Sequence, residues 1–168
     1  NILLESTTTG ATTGDIFGEI EFKTNDSSSA GVKGKIDSYS EGGVGNGALR
    51  LFTGNTTGLY ERFRIASDGS LSTPTLGTSN VRFGVNAGNS IVAGGNYNVV
   101  VGDEAGTAIT TGDYNAAVGY TSGSSITTGE RNSAFGSFAL ALNVSGTNNV
   151  ANGFQSLYSN TGNYNTAI

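Results

Sequence analysis

The 168-residue chain has no cysteine, histidine, methionine or tryptophan, and a single proline. Without His and Cys there is no Ser-His-Asp or Cys-His triad, no thiol redox chemistry and no standard zinc site. Without Met, the sequence is expected to be an internal piece of a longer product. Charged residues are 12 % of the chain, about half the usual ~25 %. Lys and Arg together number only eight, scattered, against a net charge of −5, which argues against phosphate neutralisation and so against nucleic acid as a partner. No apolar run approaches the ~18 residues of a membrane span, so no membrane insertion is expected. What the chain does have is glycine, 27 residues, and fifteen aromatics made up of seven Tyr and eight Phe. This composition reads as a folded, all-β, extracellular style of protein.

The sequence changes grammar near residue 80. Residues 1–82 hold nine acidic and seven basic residues, whereas residues 83–168 hold only Asp103, Glu104, Asp113, Glu130 and Arg131. So sharp a shift marks a domain boundary, placed here between 1–79 and 80–168. The first part alternates with period two, the signature of strands with one dry and one wet face. After an opening strand at residues 1–6, Ile16, Gly18, Ile20 and Phe22 oppose Glu19, Glu21 and Lys23. Val32, Ile36 and Ser38 oppose Lys33, Lys35, Asp37 and Tyr39; Leu49 and Leu51 oppose Arg50 and Phe52; Tyr60, Arg62 and Arg64 oppose Glu61, Phe63 and Ile65. Turn clusters rich in Gly, Ser, Thr, Asn and Asp separate these runs. The expectation is a small antiparallel β domain of five strands.

The second part is a repeat. Its frame is Gly-x-x-Asn-x-small-apolar-Gly: GNYNVVVG at 95–102, GDYNAAVG at 112–119, GERNSAFG at 129–136, GTNNVANG at 146–153, then GNYNTAI at 162–168. The Asn column is Asn98, Asn115, Asn132, Asn149 and Asn165, at spacings of 17, 17, 17 and 16 residues. A degenerate earlier copy, NVRFG, begins at residue 80. Such regularity predicts a β-solenoid with one coil per repeat, coils stacked about 4.8 Å apart. The glycines suit corners that need positive φ or close backbone approach. The Asn column suits a structural ladder of side-chain amides across stacked coils. Two residues after each Asn stands Val100, Ala117, Ala134, Ala151 or Ala167, and one further on Val101, Val118, Phe135, Asn152 or Ile168. Adjacent strand positions face opposite ways, so one column fills the coil interior and the other needs a burial partner. That outer column predicts that the solenoid packs against copies of itself.

Several residues invite chemistry. Asp113 and Glu130 hold the same frame position on neighbouring coils, which places their backbones near the ~5–5.5 Å carboxyl separation of retaining glycosidases. The plainer reading is two solvated turn carboxylates, since the column continues as Asn96, Thr147 and Asn163. The same pair, with Asp103 and Glu104 nearby, could also offer oxygen ligands to a cation, although calcium takes six or more. Tyr97, Tyr114 and Tyr164 precede the ladder Asn, where exposed rings could contact a glycan or pack on one another. Thr110-Thr111 and Thr127-Thr128 form a two-coil patch that ends at the next coil. GVGNGA at 43–48 fits the dinucleotide fingerprint formally, but it leads into a strand rather than a helix and reads as a turn. Arg62 and Arg64 read as an ion-paired or solvated face. No residue is assigned to catalysis, a metal or a cofactor.

The chain resembles phage tail-fibre proteins, whose repeats are similar to those of trimeric adhesin heads. GFQSLYSNTGNYNTAI at 153–168 carries the repeat likeness, and GEIEFKTND at 18–26, GALRLFTG at 47–54 and ERFRIASDGSLS at 61–72 follow in fibre order. The resemblance implies an elongated homotrimer upstream of an intramolecular chaperone domain, with the solenoid cut off inside a repeat. It implies a non-enzymatic structural and adhesive role in a virion tail fibre, outside the cell. The implied partners are a host surface glycan or protein receptor and other virion tail proteins. The alternatives are the head of a bacterial trimeric surface adhesin and a glycan-degrading tailspike.

Overall fold

The computed structural model describes residues 12–24, 31–42, 46–54, 58–73 and 77–168. Every regular element among them is a strand, as the composition and alternation require. The chain forms two compact units, Asn1–Pro74 and Thr75–Ile168. The division falls just upstream of the composition boundary because Thr78 and Asn80 already pair with the following coil. The Thr78 N–H donates to Asn96 Oδ1 at 2.8 Å, and the Asn98 N–H donates to Asn80 Oδ1 at 2.8 Å.

The first unit is an antiparallel meander in the order β1-β2-β3-β4-β5. Its strands are β1 (Ile16–Thr24), β2 (Gly31–Ser40), β3 (Gly47–Gly54), β4 (Leu59–Ile65) and β5 (Leu71–Ser72). The strand expected at residues 1–6 lies outside the described residues. The run that begins at Tyr60 continues through a turn into a hairpin. Gly69, at φ 85°, lets the chain turn after Asp68, and the Ala66 N–H closes the turn on Ser70 O at 2.9 Å. One departure follows from a bulge. Leu51 pairs with Phe63 but Phe52 pairs with Glu61, so Arg62 is an extra residue in β4. Plain alternation puts Glu61 and Arg64 on opposite faces; the bulge returns Glu61 to the face of Arg64, and the two pair at 2.9 Å.

The two faces of this sheet are buried in reverse of the usual order. The charged face closes over itself. Asp37 is 1 % exposed and takes a bidentate pair from Arg50, with Nε and Nη2 both at 2.8 Å, plus Lys35 Nζ at 2.8 Å. The Arg50 guanidinium lies 3.8 Å from the Tyr39 ring centroid and 5.0 Å from that of Phe52. Arg64 continues the network to Glu61 and, at 3.3 Å, to Glu41. Arg62, expected to share this face, instead donates to Thr53 Oγ1 at 2.8 Å. Burial pushes the Asp37 carboxyl up, but the hydrogen bonds from Arg50 and Lys35 outweigh it and hold the group below the ordinary aspartate range. The other face carries Ile20, Phe22, Leu49, Leu51 and Leu71, all exposed.

The second unit is a parallel β-solenoid whose coils close within one chain. Its strands are β6 (Val81–Phe83), β7 (Val99–Val101), β8 (Ala116–Val118), β9 (Ser133–Phe135), β10 (Val150–Asn152) and β11 (Thr166–Ala167), stacked in sequence order. Pairing is in register with the repeat: Val99, Ala116, Ser133 and Val150 are successive partners. The interior column is as expected, with Val100, Ala117, Ala134 and Ala151 fully buried. The outer column is open at Phe135, 44 % exposed, and half-buried at Val101 and Val118. The glycine that ends each frame is conformationally required. Gly84, Gly102, Gly119 and Gly136 have φ between 127° and 133°, and a Cβ on any of them would run into the backbone of the next coil.

A further interior pattern couples two positions. Gly88, Gly106 and Gly123 sit at φ 52–57°, each followed three residues later by a buried Ile91, Ile109 or Ile126. The δ-methyl of that Ile occupies the space a Cβ on the glycine would need. In the next two coils the pair becomes Leu140 with Asn143, and Leu157 with Asn160. Leu140 fills the interior but must adopt φ 52°, a left-handed conformation that costs about 1–2 kcal/mol for a residue with a Cβ. Asn143 is fully buried, and neither its Oδ1 nor its Nδ2 has a hydrogen-bond partner among the described residues.

Candidate functional site

The repeat Asn residues form one continuous ladder. The Nδ2 atoms of Asn98, Asn115, Asn132, Asn149 and Asn165 each donate to the Asn Oδ1 of the preceding coil, at 3.0–3.2 Å. The backbone N–H of each also donates to that same oxygen, at 2.8–3.1 Å. The second Nδ2 hydrogen goes forward to a glycine carbonyl one coil on: Asn98 to Gly112, Asn115 to Gly129 and Asn132 to Gly146, at 2.8–2.9 Å. Each interior rung therefore uses two donors and two acceptor sites, the full capacity of a primary amide. Asn98, Asn115, Asn132 and Asn149 are at most 1 % exposed. Asn80 starts the ladder, donating to Gly95 O at 2.7 Å. It is the rung missing from the sequence-derived column, although the degenerate copy beginning there signalled it.

The residue before each rung explains how the amide enters the core. Tyr97, Tyr114, Arg131, Asn148 and Tyr164 all have φ between 55° and 59°. This left-handed residue turns the chain so that the Asn side chain points inward and its own side chain outward. Non-glycine residues seldom adopt it; the filled hydrogen bonds of the adjoining Asn hold it in place. The result is a surface column with a 17-residue period. Tyr97 and Tyr114 stack, centroids 5.0 Å apart and planes 10° from parallel, and the Arg131 guanidinium lies 5.5 Å from the Tyr114 ring. Tyr164 is 79 % exposed and separated from this stack by Arg131 and Asn148. The structure thus joins two of the three candidate tyrosines and leaves the third apart.

Two positions before the rung, three coils carry a second side-chain link that sequence reading missed. Asn96 Oδ1 accepts from the Thr78 N–H at 2.8 Å, Asp113 Oδ1 from the Asn96 N–H at 2.6 Å, and Asn163 Oδ1 from the Thr147 N–H at 2.7 Å. The signal was available: Asn96, Asp113, Glu130, Thr147 and Asn163 all carry a side-chain oxygen. Asp113 is therefore engaged in capping the neighbouring coil. Glu130 instead pairs with Arg131 at 2.7 Å. Thr110 and Thr127 donate their hydroxyls to backbone carbonyls of the next coil, both at 3.1 Å, so this half of the Thr patch is also structural. Among the described residues no three His, Cys, Asp or Glu side chains converge as a metal site. GVGNGA falls partly outside the described residues; its described end enters β3.

An aromatic cluster on another corner also escaped the sequence reading. Phe138 meets Tyr120, Phe154 and Tyr158 edge-on, at centroid distances of 5.3, 6.2 and 6.4 Å. The period that would have revealed it links Tyr120 to Phe154 two coils away. No protein-family model, curated protein or solved structure matches the chain.

Proposed function

We propose that this chain is a structural and adhesive segment of a homotrimeric phage tail fibre that attaches the virion to its host cell surface. The observation that carries the reading is the buried Asn ladder with the side chains it presents. It fixes an outward column of Tyr97, Tyr114 and Arg131 on a scaffold in which the amides of the interior rungs are saturated. A rigid stack of this kind bears load along its axis and displays rings in register. The fibre-like motifs at 18–26, 47–54, 61–72 and 153–168 support the phage setting, in which the chain lies outside the cell and meets other tail proteins. The receptor in this reading is a surface glycan or protein that contacts Tyr97, Tyr114 and Tyr164. Asp113, already bonded to the neighbouring coil, favours a structural over a glycan-cleaving role.

The test is attachment. Fluorescently labelled chain is titrated onto a panel of bacterial cells, with Tyr97→Ala/Tyr114→Ala as the comparison. Saturable binding to particular strains, weakened in the variant while the solenoid melts normally, is the expected result. Binding to none of the strains, with polysaccharide cleaved instead, would replace the adhesive reading with the tailspike one.

A further inference from the structure

The apolar face of the first unit has no burial partner among that unit's own described residues. Among the described residues, the buried apolar cluster lies in the solenoid, from Ala87 onward. In the sheet only Ala48 is buried among the apolar residues, and it pairs with Tyr39 on the charged face. A sheet hydrophobic on one face has to cover that face to be stable.

The face is also graded. One cross-strand row runs Gly18, Ser38, Leu49, Ile65, Leu71 from β1 to β5. Its small end lies in an open cavity of about 290 Å³, lined by Phe17, Gly18, Ile20, Ile36, Ser38 and Leu49 together with Asp37. Its large end is a ridge whose tip, Leu71, is 61 % exposed. The neighbouring row, Ile20, Ile36, Leu51 and Phe63, is equally free of charge. These two rows therefore bring no charge into a contact between copies; Arg62, which the bulge turns to this face, lies outside them with its guanidinium on Thr53 Oγ1 and beside the Tyr60 ring.

We infer that this face is a contact between copies of the chain, in which the Ile65–Leu71 ridge of one copy fills the Gly18–Ser38 groove of the next. It rests on the oligomeric fibre reading above and assigns its contact to the first unit. Groove and ridge occupy opposite ends of one row on one face, so each copy offers both halves of the contact. A cyclic assembly joins each ridge to the groove of the next copy, as the trimer of the fibre reading requires, and a two-fold pair would join both at once; the assembled mass separates the two. Folding of the sheet is then tied to assembly, while the solenoid, with its own core, is not.

The experiment uses the full 168-residue chain and measures mass against concentration by light scattering, in multiples of 17.0 kDa. Leu71→Glu and Ile20→Lys each put an unpaired charge into the contact. Each is expected to raise the concentration of half-assembly at least tenfold, with the solenoid's melting unchanged. The double variant Ile20→Lys/Leu71→Glu pairs the charges where ridge meets groove and is expected to recover most of the loss. Assembly of both single variants at the wild-type concentration would overturn the contact. A double variant weaker than either single would overturn the pairing of ridge with groove. A wild type that stays monomeric with its sheet intact would overturn both the contact and the fibre reading. Because assembly is measured apart from attachment, a failed cell-binding assay would count against the adhesive role alone.

Discussion

Replacing Asn115 with Ala tests whether the ladder holds the solenoid together. The side chain donates to Asn98 Oδ1 at 3.1 Å and to Gly129 O at 2.8 Å, and accepts from the Asn132 N–H at 3.1 Å and Asn132 Nδ2 at 3.0 Å. Truncation leaves three buried groups without those partners: the Gly129 carbonyl, the Asn132 N–H and one Asn132 amide hydrogen. Asn98 Oδ1 keeps the Asn115 backbone N–H at 2.9 Å. Each buried orphan costs about 1–3 kcal/mol, so the variant should lose about 3–5 kcal/mol once partial relaxation is allowed for. On a unit of this size about 1 kcal/mol moves Tm by roughly 4–8 °C, so the drop should exceed about 12 °C. Circular dichroism melts read it directly. Asn165→Ala is the internal control. Asn165 ends the ladder and is half-buried, so its loss orphans fewer groups and should cost about 1 kcal/mol. Equal costs at the two positions, or no change at Asn115, would refute the buried ladder as the source of stability.

Three further outcomes are expected. The Asp37 carboxyl has a lowered pKa in the folded sheet, so its stabilisation is present above the unfolded aspartate pKa and disappears as pH falls through the folded one. An acid titration of the wild type should show that step, and Asp37→Asn should lack it while starting about 1–3 kcal/mol less stable, because Arg50 and Lys35 lose their nearest carboxylate and keep Glu61 at 3.7 Å and Glu19 at 3.4 Å. A double-mutant cycle between Tyr97→Ala and Tyr114→Ala should return a coupling of about 0.5–1.5 kcal/mol in denaturant melts, whereas pairing Tyr97→Ala with Tyr164→Ala should return none. Leu140→Gly alone opens a cavity worth about 2–4 kcal/mol and Asn143→Ile alone overpacks by about 1–3 kcal/mol, yet the double variant restores the Gly–Ile pair of earlier coils and should melt above wild type.

The solenoid was legible in the sequence because its determinants recur at one spacing. A column that reads Asn98, Asn115, Asn132, Asn149 reports both the coil length and the bond that links coils. Asn80 was harder to see because its coil is one residue longer and its strand carries Arg82 where later coils carry Val or Ala. The first unit was legible as alternation and illegible wherever alternation breaks. The bulge at Arg62 moves Glu61 across the sheet, and nothing in the run Tyr60–Ile65 announces it. The left-handed residues were invisible for a different reason. Tyr97, Arg131 and Asn148 share no side-chain property; what they share is a backbone angle imposed by the Asn that follows.

The Leu140–Asn143 substitution shows how far this logic extends. Gly and Ile three residues apart divide one interior space between no side chain and a large one; Leu and Asn divide it the other way. Neither half of the change is tolerable alone, since Gly with Asn leaves a void and Leu with Ile collides. The two positions therefore vary as a unit within one chain, coil by coil, without any departure from the period. The exchange leaves an unsatisfied amide and a strained Leu at one level of the stack. In a solenoid, where stability is close to a sum over neighbouring coils, that level is the weakest link. Under load or heat the stack should open first between the coils that carry Asn132 and Asn149. Hydrogen exchange resolved by residue would show it as faster exchange at the Asn149 N–H than at the Asn115 N–H, and equal protection of the two would contradict it.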